Sequence, residues 1–281
     1  MASTMSDYGE RTKAVGSAYD RMAADYDNID GEAFYANQYE VYNRHMLKNI
    51  NGKYKRTLDV GCGTGIQTIQ LTRHSKYSVG IDISYELLKV AKKKSNCLND
   101  VDYIRADAVF MPFRDSVFDC VISYGETISH TELYERALEE IFRVTRIEGS
   151  VHFSVLNKWN VGVLCSEKEL RHALSRRSGH MRTWICYLSQ DGDYAALDLK
   201  TFSRKELETI LSRNEASPIS YTGIHILSLL IPLHLQYARM GFWGRLFRIL
   251  GKLDLSLNEK WPFSWLGYTV IVSARKIGAI K

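Results

Sequence analysis

The stretch LDVGCGTG, residues 58–65, decides the reading of this chain. A short apolar run ends in glycines at every second position, Gly61, Gly63 and Gly65. Glycine loses more backbone freedom on ordering than any other residue, so its repeated use implies something lying close against this backbone. A ligand there would meet main-chain N–H groups and the start of a helix. The spacing is GxGxG, not the GxGxxG of dinucleotide-binding folds, and Asp59 stands two places before the first glycine.

Outward from this turn, short apolar runs alternate with helical patterns. RTLDVG reads as a strand and IQTIQLTRH as a helix with Ile66, Ile69 and Leu71 apolar. YSVGIDIS, DYIRADA, FDCVISYG and GSVHFSVL read as further strands. Residues 85–94 and ERALEEIFRVTR read as helices, the second with Leu138, Ile141, Phe142 and Val144 on its apolar side. Such alternation predicts a parallel sheet with helices on both faces. Ligands bind such sheets beyond the carboxyl ends of the strands. Asp82 ends the second strand, where a carboxylate accepts hydrogen bonds from vicinal ribose hydroxyls. Asp107 ends the third, where it would accept from an exocyclic amine of a base.

Past Leu156 the alternation breaks. HMRTWICYLSQDGDYAALDLK predicts a hairpin with Asp191 and Gly192 in its turn. FSRKELETILSRN predicts a helix with Ser203 and Glu206 as a capping box. PISYTGI and LGYTVIVSARK predict the last two strands. Upstream, Val15, Ala18, Met22 and Tyr26 fall near helical spacing, and a second helix is expected over residues 39–47. The organisation expected is one domain over 1–281, with a helical cap at 1–50 and substrate-side insertions at 158–199 and 224–264.

The chain has 281 residues, 45% hydrophobic and 25% charged, which suits a globular protein with a sizeable core. The net charge of +5 permits an anionic partner without requiring one. Cys62, Cys97, Cys120, Cys165 and Cys186 are scattered, odd in number and lack metal-ligand spacing. They read as free thiols in a reducing compartment, with no metal site. The first residues lack the apolar core of a secretory signal, and IHILSLLIPLHL is too short to span a bilayer, so a cytoplasmic location is expected.

From about residue 19 to residue 155 the sequence resembles the class I S-adenosylmethionine-dependent methyltransferases. LDVGCGTG matches their glycine-rich motif, VGIDIS the ribose-binding strand, and ADAVFMPFRDSVFDCVIS the adenine-side loop and fourth strand. ALEEIFRVTRIEGS matches the helix and turn that normally end in Pro-Gly-Gly, here replaced by Glu148, Gly149 and Ser150. The resemblance implies a Rossmann-like, doubly wound, seven-stranded α/β sheet, mostly parallel with an antiparallel last strand. It implies S-adenosyl-L-methionine as cofactor and S-adenosyl-L-homocysteine as product. By position, Gly61, Gly63 and Gly65 would line the methionine part, Asp59 would help hold its amino group, Asp82 the ribose and Asp107 the adenine amine. Cys62, Ile83, Ala108 and Ser123 complete the cofactor-binding set. YDRMAADYD resembles the helix that closes over the cofactor and places Tyr19 and Tyr26 near it.

Methyl transfer is an in-line displacement that needs orientation and exclusion of water, and a base only when the acceptor must lose a proton. SYGETISH follows the fourth strand, where the family often positions the acceptor. His130 is the first choice of base there, Glu126 the second, and Tyr124 a wall of the pocket or a participant. In KELRHALSRRSGHMR, Arg171, Arg176, Arg177, His180 and Arg182 form either a site for an anionic acceptor or a solvated face. In GFWGRLFRILGKL, Arg245, Arg248 and Lys252 recur at helical spacing, with Leu246, Ile249 and Leu253 on another face. That helix reads as a membrane-surface element, a lid over an apolar acceptor, or a plain amphipathic helix. The function expected is methylation of a small or lipid-like metabolite at O, N or C, by a monomer or homodimer. The alternatives are an RNA methyltransferase, which the dispersed basic residues disfavour, and a non-catalytic cofactor-binding subunit.

Overall fold

Side chains alternate along each strand, and this sorts the core onto two faces of one sheet. The computed structural model describes residues 5–29, 33–50, 52, 54–164, 182–187, 194–231 and 242–278. The elements before the glycine turn are α1 (Met5–Met22), α2 (Tyr26–Ile29) and α3 (Ala33–Asn49). The repeating core is β1 (Thr57–Val60), α4 (Ile66–Leu71), β2 (Ser78–Asp82), α5 (Tyr85–Lys94), β3 (Val101–Arg105), β4 (Phe118–Ser123), α6 (Thr127–His130), α7 (Tyr134–Val144) and β5 (Thr145–Asn157). After it come α8 (Val161–Leu164), β6 (Arg182–Tyr187), β7 (Tyr194–Leu199), β8 (Thr201–Phe202), α9 (Arg204–Arg213), β9 (Ala216–Ile224), α10 (Phe242–Leu257) and β10 (Thr269–Lys276).

The main sheet runs β3-β2-β1-β4-β5-β10-β9, with two-residue β8 paired beside the end of β5. All pairs are parallel except those of β10, which is antiparallel to β5 and β9. The strand order reverses at β1, which pairs with both β2 and β4. The expected sheet is therefore present, with an eighth short strand added.

On one face Leu58, Val60, Val121, Phe153 and Val272 pack with Leu138, Ile141 and Phe142 of α7 and Leu207, Ile210 and Leu211 of α9. On the other, Cys120, Ile122 and Ile271 pack with Val41, Tyr42 and Met46 of α3 and Leu71 of α4. Each large apolar side chain so buried contributes about 1.5–3 kcal/mol relative to exposure. The helix at α4 is shorter than its pattern suggests. It turns Gln67, Thr68 and Leu71 inward and leaves Ile66 and Ile69 half-buried, because Thr68 serves a buried carboxylate described below.

Local signals hold elsewhere with adjustments. β6 and β7 form the expected hairpin, from Arg182 opposite Leu199 to Tyr187 opposite Tyr194; Asp191 and Gly192 lie outside the described residues. Ser203 caps α9 by accepting from the Glu206 N–H at 3.3 Å, but the Glu206 carboxylate pairs with Lys200 at 2.8 Å rather than closing the box. The motif at Glu148–Ser150 is no separate turn. It is a kink inside β5, with Glu148 at φ 63° and Gly149 so crowded that a Cβ would lie 2.8 Å from the Arg146 carbonyl oxygen.

Two anchors hold the outer helices. Asp20 of α1 accepts from Ser84 Oγ at 2.6 Å and from the Glu86 N–H at 3.0 Å, at the N-terminus of α5, where the helix dipole favours a carboxylate. Asp254 of α10 is buried and accepts from the N–H groups of Ile226, Leu227 and Ser228 and from Ser228 Oγ, at 2.6–3.2 Å. Gly251 lets α10 approach α3, since a Cβ there would lie 3.0 Å from the Asn37 amide nitrogen.

Candidate active site

The glycine turn folds back on β2: the N–H groups of Gly61 and Cys62 both donate to the Ile81 carbonyl, at 2.8 and 3.0 Å. All three glycines have positive φ, 73°, 51° and 80°. Their reasons differ. A Cβ on Gly61 would lie 2.2 Å from Thr127 Oγ1, and one on Gly65 would lie 2.7 Å from the Tyr103 hydroxyl. At these two positions it is the protein itself that comes close. Gly63 alone faces open space, with Tyr26 as its nearest neighbour at 3.9 Å.

That space is a cavity of about 390 Å³ at the carboxyl ends of the strands, within the range of roughly 300–1,000 Å³ for small-molecule sites. Gly61, Gly63, Asp82, Ile83, Asp107 and Ala108 line it from the sheet side. Tyr8, Arg11, Thr12, Val15 and Tyr19 of α1 and Tyr26 of α2 cover it, and Gly125, Thr127 and His130 close one end. The covering role of α1 extends well upstream of Tyr19. Tyr8 donates to both Asp107 oxygens, at 2.9 and 2.8 Å, from 99 positions away in sequence. No local pattern marks such a partner.

Asp82 is half-buried at the cavity wall, and its partial removal from water raises its carboxyl above the usual range despite its hydrogen bonds. Its Oδ2 accepts from the Gly63 N–H at 2.9 Å and its Oδ1 from the Ser84 N–H at 2.8 Å. Each carboxylate oxygen has about two acceptor sites, so one on each oxygen is left for a vicinal diol. Asp107 Oδ1 also accepts from the Val109 N–H at 2.9 Å. The two acids, the open glycine and the cavity size fit S-adenosylmethionine.

Four residues expected at the cofactor do not line the cavity. Asp59 points to the α4 face of the sheet, where its Oδ2 accepts from Thr68 Oγ1 at 2.7 Å. Cys62 is buried beneath β2, Gly65 packs under Tyr103 and Ala91, and Ser123 donates to the Val60 carbonyl at 2.9 Å. These positions shape the turn from behind.

Burial pushes the Asp59 carboxyl up to about 7, with the Asp82 charge adding to the effect. A carboxylate raised in the folded state is most stabilising below its unfolded value near 4, and that contribution is lost as pH rises toward 7. Asp59→Asn removes this titration. Between about pH 5 and pH 8, its urea-unfolding free energy should fall by roughly 3 kcal/mol less than that of the wild type. Parallel pH profiles for the two proteins would refute the assignment.

The three residues expected at the reaction centre separate. His130 lines the cavity, its ring edge-on to Tyr19 at 6.0 Å, and its Nδ1 is buried with no hydrogen-bond partner among the described residues. Burial lowers its pKa to about 4, so it is neutral at neutral pH. Tyr124 borders the cavity, but its hydroxyl is bonded to His45 Nδ1 at 2.9 Å and its ring stacks on Tyr42 at 4.7 Å. Glu126 does not line the cavity. Gly125 and Glu126 both take left-handed backbone conformations, φ 70° and 58°. The Glu126 carboxylate accepts from Gln38 Nε2 and Tyr42 Oη, each at 2.9 Å. Expected as the second base, Glu126 is held toward α3 rather than into the cavity.

No described residue beyond Glu132 lines the cavity. Arg171, Arg176, Arg177 and His180 lie outside the described residues, so their reading as an anion site finds no structure to judge it.

Residues 58–153 match the family model described as a methyltransferase domain. An uncharacterized protein of Methanocaldococcus jannaschii is 31% identical over 223 residues, covering 76% of this chain and 81% of its own. The demethylmenaquinone methyltransferase of Staphylococcus haemolyticus is 28% identical over 152 residues, 52% of this chain and 62% of its own length. Among solved structures, the [4+2]-cyclase SpnF superposes with a TM-score of 0.62 at 17% identity, over 94% of this chain and 96% of that one. That likeness speaks to fold alone, and a shared fold hosts unrelated chemistries. The chain belongs to the class I S-adenosylmethionine-dependent methyltransferases. Its cofactor is S-adenosyl-L-methionine.

Proposed function

We propose that this methyltransferase acts on a small or lipid-like acceptor held beneath α1. The observation that carries the reading is the cover over the cavity: α1 and Tyr26 close over the carboxyl ends of the strands. The demethylmenaquinone methyltransferase relative supports a small acceptor.

The cofactor supplies an electrophilic methyl group carried on a sulfonium. The protein's task is then to orient and to exclude water. The open backbone at Gly63 borders the methionine part, and Asp82 takes the ribose hydroxyls. Asp107, held by Tyr8, takes the adenine amine. Tyr19 and Tyr26 shield the reacting end. His130 stands at that end as the candidate to take a proton from a hydroxyl or ammonium acceptor. Its low pKa makes it a weak base that is always in its basic form near neutrality.

Isothermal titration with S-adenosyl-L-homocysteine tests the cofactor side, with a dissociation constant on the order of micromolar expected. Once an acceptor is found in metabolite extracts, the His130 contribution to kcat should be flat between about pH 6 and pH 8, since a pKa near 4 leaves nothing to titrate there. A limb near pH 6.5 that disappears in His130→Gln would overturn this. The net charge of +5 supports a second reading, an RNA acceptor. Methylation of a tRNA pool, abolished by ribonuclease, would replace the first reading. Cofactor binding without turnover on either pool would favour a non-catalytic subunit.

A further inference from the structure

Helix α10 is apolar on two opposite sides, and the fold uses only one. Gly244, Phe247, Gly251 and Asp254 form the buried side, packed toward α3 and the turn at 228–230. At 3.6 residues per turn, Phe242, Ile249 and Leu253 fall roughly opposite that face. They are 70%, 57% and 47% exposed, and neighbouring Trp243 is 42% exposed. Trp261, just beyond the helix, is 78% exposed. Scattered exposed apolar residues need no explanation, but a stripe along one helix does.

Charge says what covers it. Arg245, Arg248 and Lys252 are exposed and lie together along one flank of the stripe. The helix has one carboxylate, Asp254, and it is buried as an acceptor for the 226–228 backbone. The exposed charges of α10 are therefore all cations, set beside the apolar stripe. A second copy of the chain is a poor cover, because a two-fold contact sets a patch against itself and would bring like charges together. An anionic bilayer surface meets both features, with phosphate headgroups for the cations and the acyl boundary for the apolar stripe. Tryptophan is at home at that boundary. No helix among the described residues is long and apolar enough to cross a membrane. We propose that α10 is an interfacial helix that docks this enzyme on an anionic membrane surface.

Co-sedimentation of the full chain with vesicles tests this, using phosphatidylcholine alone and phosphatidylcholine mixed with phosphatidylserine. Binding is expected only to the mixed vesicles and should weaken as salt is raised. Each of Arg245→Gln and Lys252→Gln should lower the partition coefficient about fivefold at low salt. Ile249→Ser with Leu253→Ser should lower it about tenfold or more, with unchanged affinity for S-adenosyl-L-homocysteine showing that the fold is intact. Failure to pellet with the mixed vesicles would overturn the proposal, as would pelleting that all the variants retain. A dimer in light scattering that Ile249→Ser with Leu253→Ser disperses would assign the stripe to a second copy instead.

Discussion

Asp254→Ala is expected to destabilise the protein by about 3–5 kcal/mol, since it takes a buried acceptor away from several donors at about 1–3 kcal/mol each, partly offset by relaxation. The carboxylate is 1% exposed and accepts from three backbone N–H groups and one hydroxyl. Alanine strands the three N–H donors, while the Ser228 hydroxyl keeps His225 Nδ1 at 3.3 Å, and each buried unsatisfied donor costs about 1–3 kcal/mol before water fills part of the gap. The same change frees α10 from the chain that follows β9. Urea unfolding of wild type, Asp254→Ala and Asp254→Asn reads the effect. The asparagine variant, which keeps one acceptor oxygen, should fall between the other two. Because no described residue of this region lines the cavity, cofactor affinity measured below the unfolding transition should change little. A loss under about 1 kcal/mol in the alanine variant would mean that water replaces the carboxylate without cost.

Asp82→Ala should weaken S-adenosyl-L-homocysteine binding about 100-fold or more. Two hydrogen bonds to a carboxylate, each worth about 1.5–3 kcal/mol, are lost with the ribose contact. The Gly63 N–H also loses the acceptor that fixes the turn at φ 51°. Asp82→Asn keeps the shape and part of the acceptor capacity, so it should lose less. Titration calorimetry on variants with wild-type circular dichroism separates ligand loss from unfolding. Wild-type affinity in Asp82→Ala would remove Asp82 from the site and with it the reading of this cavity as the cofactor site.

The parts of the site that were legible in advance are those fixed by neighbours in sequence. The strand-to-helix turn at 61–65 and the acids closing β2 and β3 needed only the alternation of apolar runs and their carboxyl ends. Residues whose direction depends on a distant partner were not legible. Asp59 sits in the glycine motif, yet the pleat points it at α4, where Thr68 holds it. Glu126 follows β4 as a base would, yet two left-handed residues carry its carboxylate to Gln38 and Tyr42 of α3. Tyr8 has no motif at all and still holds Asp107.

The sequence by itself determined the sheet, its glycine turn, the order of its repeating units and the family, because these arise from periodicity and from backbone limits acting over a few residues. Only the tertiary structure decided which glycine stands open to a ligand, which acid reaches the cavity and which side of α10 stays uncovered. Those outcomes depend on side chains tens to hundreds of positions apart competing for the same buried space and the same hydrogen-bond donors, and no local pattern encodes that competition.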